Sequence, residues 1–372
     1  MKVREIITSD KKRRYVVIDQ NGELNKSINK FLKFKDNSNS APATIRSYAY
    51  ALCLYFDFLE QKHLSYYDVG IDELAEYIRW LQNPYGEDKV SPLGDSDSKK
   101  IRKVKTINQY LNKVYNFYDY IMRHKDFSIN LSTRLKKQFY GNKSGFKSFL
   151  YHIRTNKPNN KNLLKLREPK ERYKILTRNE VEKLIDACNN IRDKFLLLLL
   201  YETGIRIGEA LSLHLSDIVP ARKKLHVKDR GELINGAEIK TVNSPRTLDI
   251  PENLANLYRN YIINVHNEEV DTDFVFIKIS GPNKYEPLDH ISAPKIFRRL
   301  EKRTGIRVTA HMFRHTNLTE LWKTGEMRPE TLKERAGHAH IQTTMQMYVH
   351  PTDEDIREEW QNAMAVKLEK KV

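Results

Sequence analysis

Four short stretches of this 372-residue chain combine residue types that handle phosphate. The first, Thr203-Gly204-Ile205-Arg206-Ile207-Gly208-Glu209, closes an apolar helical pattern: Gly204 stops the helix and Arg206 opens the next turn. An arginine at a helix start beside glycines can approach a phosphate closely and bind it through two donors. Glu209, one turn on, can hold that arginine or a nearby histidine in place. The second, residues 238–251, reads as a β-hairpin with Lys240 on its first strand near the tip, within reach of a DNA backbone. The third, His311-Met312-Phe313-Arg314-His315, spaces His311 and Arg314 to share one helix face. In the fourth, Ala336-Gly337-His338, the glycine breaks a helix, and Tyr348 follows His338 by ten residues. Three of them have a plainer reading: a surface ion pair for Arg206 and Glu209, a solvated charge for Lys240, and a packed ring for Tyr348, one of 20 tyrosines. The spacing of His311, His315, His338, His340 and His350 fits no standard zinc pattern and no cysteine lies nearby, so no metal is expected. His315, His340 and His350 are read as structural or solvent-exposed.

Taken in order, these pieces resemble the tyrosine recombinase or phage integrase family. Its signature is an arginine in T-G-x-R-x-x-E, a hairpin lysine, H-x-x-R, a G-H pair, and a tyrosine nine or ten residues later. Arg206, Lys240, His311, Arg314, His338 and Tyr348 fill every position, across residues 203–348. The resemblance implies metal- and ATP-independent cleavage and rejoining of DNA, with no cofactor. Attack on a phosphodiester builds a phosphorane with added negative charge, which two guanidiniums, Arg206 and Arg314, can stabilise. Tyr348 is the expected nucleophile, leaving a 3′-phosphotyrosine and a free 5′-hydroxyl. A tyrosine with its ordinary pKa of about 10 needs nearby positive charge and a proton acceptor. Lys240 is the expected general acid for the leaving oxygen, His311 a general acid/base near Tyr348, and His338 a hydrogen-bond donor to the phosphate.

The elements that must position these residues suggest a mainly α chain with a small β-sheet or hairpin: a helical core-binding domain followed by a mixed α/β catalytic domain. Residues 1–22 read as a β-ribbon, with β-prone runs at 3–7 and 15–18 closed by Asn21-Gly22. Residues 23–155 read as a helical DNA-binding domain, its helices opening at Thr44, Ile71 and Thr106 around a loop over 83–98. The stretch Ala43 to Glu60 is similar to the core-binding domain of the same family. Residues 156–174, polar and broken by Pro158 and Pro169, read as a linker. The catalytic domain, 175–372, begins with the capping box Thr177-Arg178-Asn179-Glu180 and a buried helix over 195–201. It ends with a short helix whose stripe of Ile356, Trp360, Ala363 and Met364 must dock on its own domain or on a neighbouring subunit.

Composition points to the partner. With 65 Lys and Arg against 48 Asp and Glu, the formal net charge is +17, as suits a protein that binds a polyanion and releases its counterions. Arg46 and the cluster Lys99, Lys100, Arg102, Lys103 and Lys105 are the expected backbone contacts of the first domain. The expected partners are double-stranded DNA, three further copies in a homotetramer on DNA, and accessory directionality factors. No run is long and apolar enough to span a membrane. Cys53 and Cys188 lie in apolar helical patterns and read as buried thiols rather than a disulfide, which fits the cytoplasm. The leading expectation is an integrase or transposase of a mobile element. A chromosome- or plasmid-dimer resolvase, a type IB topoisomerase and a catalytically inactive DNA-binding regulator are the alternatives.

Overall fold

The computed structural model describes residues 1–9, 13–82, 102–123, 164–168, 174–237, 239, 243–339 and the single positions 357, 360, 361 and 364. The chain divides into two compact units, Met1–Lys170 and Glu171–Val372.

Unit 1 opens with a two-stranded antiparallel ribbon, β1 (Lys2–Ile7) and β2 (Arg13–Ile18), in which Val3 faces Val17 and Ile7 faces Arg13. Four helices follow among the described residues: α1 (Lys26–Asn37), α2 (Pro42–Gln61), α3 (Ile71–Gln82) and α4 (Val104–Arg123). Asn25 caps α1 by accepting from the Ile28 amide at 3.0 Å, and Pro42 stands at the first turn of α2, where no amide donor is missed. The ribbon packs on α1 and α2 through the fully buried Val17, and Arg14 pairs with Asp36 at 2.7 Å. The core is aromatic: Phe31, Tyr55, Phe56, Phe58, Tyr77, Trp80, Phe117 and Tyr118 are all buried. Residues 164–168, inside the expected linker, lie on this unit. There the Asn108 side chain donates to Leu166 O at 2.9 Å and accepts from the Leu166 amide at 3.0 Å.

Unit 2 begins with α5 (Arg178–Asp186), whose capping box forms as expected: Glu180 N–H donates to Thr177 Oγ1 at 3.2 Å and Thr177 N–H to Glu180 Oε2 at 2.9 Å. Then come α6 (Ile191–Thr203), α7 (Ile207–Leu211), and an antiparallel sheet of β3 (Ile218–Val219), β4 (Lys224–Val227) and β5 (Arg246–Asp249). The helices α8 (Glu252–Val265), α9 (Ala293–Thr304), α10 (Ala310–Lys323) and α11 (Pro329–Ala336) follow. The aliphatic α6 is buried on nearly every side and packs against α8 and α10, which explains its lack of a polar face. β5 pairs along its whole length with β4, while Glu238 and Lys240, at the ends of the expected hairpin strand, lie outside the described residues. The register places Leu225 opposite Leu248, both buried, so the sheet closes on the core through that pair. Ile239 itself has no strand conformation.

No helix among the described residues is long and apolar enough to cross a membrane. Both cysteines are free thiols, and burial pushes them up to about 11 for Cys53 and about 12 for Cys188, so neither is a reactive thiolate.

Candidate active site

The site begins where α6 stops. Gly204 takes the left-handed conformation (φ 63°), and a Cβ there would stand 2.6 Å from Asn317 Oδ1, so both backbone and space demand glycine. The turn presents the Gly204 carbonyl to α10, where it accepts from Arg314 Nη1 at 2.6 Å. Two residues on, Arg206 stands at the N-cap of α7 in extended conformation. Its amide donates to Glu209 Oε2 at 2.9 Å and its Nη1 to Glu209 Oε1 at 2.7 Å, so a single carboxylate fixes both ends of the arginine. Nη1 also reaches Ser244 Oγ at 3.3 Å, and Nη2 donates to Gly337 O at 3.0 Å.

Gly337 ends α11 in the same left-handed manner (φ 64°), and an added Cβ would meet Arg246 Nη1 at 2.9 Å and Asn243 O at 3.1 Å. The turn that follows α11 therefore lies directly against the arginines. Arg314, 1% exposed, donates through Nη2 to Ala336 O and lies 3.0 Å from His338 Nε2. A guanidinium carries no acceptor, so Nε2 must accept and the His338 proton resides on Nδ1. Burial, reinforced by Arg314, Arg206 and Arg246, pushes His338 down to about 3, so the imidazole is neutral at neutral pH. Burial alone would raise Glu209, but hydrogen bonds from Arg246 and Arg206 outweigh it and hold the carboxyl at about 2. His311 and Arg314 share α10 but part in environment: the arginine is buried and His311 is exposed. The His311 ring instead packs edge-on against the buried His315, centroids 4.3 Å apart, and burial lowers His315 to about 4.

Residues 174–355 match the phage integrase family. Over 373 residues, covering 100% of both chains, the sequence is 38% identical to transposase A from transposon Tn554 of Staphylococcus aureus. The chain belongs to the phage integrase family. It is also 31% identical over 193 residues to the tyrosine recombinase XerA of Pyrococcus furiosus, which covers 51% of this chain and 62% of that protein. Its fold is shared with the Tn1549 transposon integrase, solved in complex with transposon right end DNA. That match has a TM-score of 0.63 and 18% identity, over 91% of this chain and 98% of that one. The XerH site-specific recombinase bound to palindromic difH substrate gives 0.60, over 91% and 85%.

In this phage integrase family member, the structure brings together Arg206, Glu209, Arg314 and His338 around one turn and leaves His311 on the neighbouring surface. Lys240 and Tyr348 lie outside the described residues, as do Lys99 and Lys100. In unit 1, Arg46 is exposed, its guanidinium 5.9 Å from the Tyr15 ring and 5.7 Å from the Tyr50 ring. Arg102 donates to Leu81 O at 3.0 Å and lies 5.7 Å from the Tyr110 ring, while Lys103 and Lys105 are exposed at the start of α4. The sequence reading passed over two contributors, Ser244 and Arg246. A usable signal existed: Arg246 shares a strand face with the buried Leu248, and an arginine facing a core must meet a carboxylate or carbonyls.

Proposed function

We propose that this chain cuts and rejoins DNA as the recombinase of a mobile element, with Tyr348 as the nucleophile that forms a 3′-phosphotyrosine. The observation that carries this reading is the charge balance of the site. Three guanidiniums, Arg206, Arg246 and Arg314, converge on the Gly337 turn against one carboxylate and a neutral imidazole. Such a site has surplus positive charge in a partly dry setting and is suited to an anion that gains charge in the transition state. Arg206 and Arg314 would bind the non-bridging oxygens of the scissile phosphate. His338 would donate to the phosphate from its protonated Nδ1. Lys240 would protonate the departing 5′-oxygen, and His311, exposed beside the site, would exchange a proton with Tyr348. Because the phosphotyrosine conserves the bond energy, a second 5′-hydroxyl can attack it and complete strand exchange without ATP.

A nicked suicide duplex tests the reading. The wild-type protein should form a covalent DNA adduct, and that adduct should survive excess EDTA, since arginines would do the charge work done elsewhere by a metal. Tyr348→Phe should abolish the adduct while DNA binding persists. An adduct mapped to another tyrosine overturns the assignment.

The extents proposed for the parts remain a ribbon at 1–22, a helical DNA-binding domain at 23–155, a linker at 156–174 and a catalytic domain at 175–372. The assembly on DNA is a homotetramer assisted by directionality factors and acting at the nucleoid. Support for contact between subunits comes from the C-terminal segment, where Arg357, Trp360, Gln361 and Met364 are helical and Trp360 is 61% exposed. An exposed tryptophan on a short helix suits docking on a neighbouring copy. Deleting residues 354–372 should leave single-site binding intact and weaken complexes that hold two sites; normal two-site complexes would show that the helix braces only its own domain.

A further inference from the structure

Arg246 opens β5 and is 9% exposed as a side chain. Its guanidinium joins three segments. Nε donates to Arg335 O, in the last turn of α11, at 2.7 Å. Nη1 donates to Ser244 O at 2.6 Å and to Glu209 Oε1 at 3.2 Å, and Nη2 donates to Glu209 Oε2 at 3.0 Å. Both oxygens of Glu209 are therefore shared between Arg246 and Arg206, whose Nη1 and amide take Oε1 and Oε2 at 2.7 and 2.9 Å. The Gly337 Cα packs against the same guanidinium so closely that no side chain fits there.

Two features of Arg246 bear on its role. Every one of its nitrogens is already engaged by a protein acceptor, so it has little left to offer a phosphate. Its position also decides how much charge Arg206 presents. One carboxylate cannot neutralise two guanidiniums: with Arg246 sharing Glu209, the three groups carry a net positive charge. Without it, Glu209 and Arg206 close into a neutral pair.

We propose that Arg246 is a positioning residue for DNA cleavage: it holds Glu209 and the Gly337 turn where they orient Arg206 and His338, and keeps Arg206 electrostatically available to the scissile phosphate. The proposal rests on the recombinase reading above. It assigns Arg246 no contact with DNA. It also explains why Gly337 must be glycine, since the turn has to lie flat on the clamp.

The test is single-turnover cleavage of the suicide duplex at saturating DNA, measured across pH. Arg246→Met should cleave about 100-fold more slowly, the scale expected when a reacting group is displaced by about an ångström. Its DNA affinity should stay within about threefold of wild type, because Arg246 makes no phosphate contact. The acidic limb of its rate profile should also move up by at least about one pH unit, since burial then acts on Glu209 without its strongest opposing partner. Arg246→Lys, which restores the charge, should recover most of the rate and return the limb toward its wild-type position. Glu209→Gln combined with Arg246→Met removes both charges together and guards against misfolding of the single variant. It should stay slower than wild type, because nothing then holds the Gly337 turn, and show no displaced limb. A wild-type rate in Arg246→Met overturns the proposal. So does a slow variant with a wild-type pH profile that lysine does not rescue, because that pattern belongs to a merely structural residue. A wild-type protein that forms no adduct at all refutes the recombinase reading, and the proposal falls with it.

Discussion

Unit 1 fills its interior with rings. Tyr55 packs edge-on against Tyr77 at 4.9 Å, Phe31 against Phe117 at 5.6 Å, and the buried hydroxyls of Tyr55 and Tyr118 bond each other at 2.6 Å. Among its described residues no Asp, Glu, Lys or Arg is buried. Unit 2 buries Arg192, Asp193, Glu209, Asp217 and Arg314. Buried charge is expensive and tolerated only when paired and fully hydrogen-bonded. Some of unit 2's charges act as internal staples: Arg192 binds Asp193 at 2.6 Å and Ile277 O at 3.0 Å, and Asp217 accepts from Arg230 at 2.8 Å. The Glu209 and Arg314 networks differ in how far their cations are buried: the second cations on Asp217 and Asp193, Lys228 and Arg299, are half-exposed, whereas Arg246 and Arg314 are almost wholly withdrawn from water. The contrast teaches that both units solve the same packing problem, but only the second accepts the cost of desolvated charge, in structural staples and at the proposed phosphate site alike.

The sharpest way to break this contrast is to remove a buried charge from each kind of site and compare cleavage. Arg314→Met should lower single-turnover cleavage on the order of 100- to 1,000-fold, as expected for loss of a preorganised donor to a developing oxyanion. A rate within a few-fold of wild type would make Arg314 another structural staple.

Acid should separate the two units next. In unit 2, Glu209 is held at about 2, below its ordinary value of about 4.3, so its contribution is full above that value and is lost as pH falls toward 2. His338 and His315 are lowered to about 3 and about 4 and fold as neutral rings. Their contribution is present above about 6.5 and is lost as pH falls below it, by up to roughly 1.4 kcal/mol per pH unit for each ring. Unit 1's buried Tyr55, Tyr77 and Tyr118 are shifted upward by burial instead, so their contribution is lost only as pH rises past about 10. Pulsed hydrogen exchange after acid incubation should show unit 2 opening before unit 1 between about pH 6 and 4. Simultaneous opening would remove the electrostatic distinction.

A smaller effect is expected from Tyr55→Phe, which deletes the hydroxyl pair with Tyr118. It should cost about 1 kcal/mol in denaturant unfolding and leave cleavage unchanged. A loss of cleavage would mean that unit 1's core also serves the chemistry. The least change is expected from neutralising the exposed Lys103 and Lys105 together, which should reduce the salt slope of DNA binding by roughly 2 if both contact phosphates. An unchanged slope would make them a solvated face.

Local signals made much of this protein legible from its sequence. Gly204 and Gly337 stop their helices, Arg206 starts one, Thr177 and Glu180 form their box, and the pattern of α6 marks a helix buried on all sides. These depend on residues a few positions apart, where backbone sterics and capping operate independently of the rest of the fold. The ordered set of Arg206, His311, Arg314 and His338 was legible as a list. Its geometry was not, because the contacts that build it span 110 residues from Gly204 to Arg314 and 131 from Arg206 to Gly337. Only tertiary packing decided that β5 pairs with β4, that Arg314 is buried while His311 on the same helix is exposed, and that Glu209 serves two arginines. Arg246 shows the reason most clearly. Its neighbours in sequence mark only a strand edge, and its role comes from a carboxylate 37 residues before it and a carbonyl 89 residues after it, brought together by the burial of the surfaces between them.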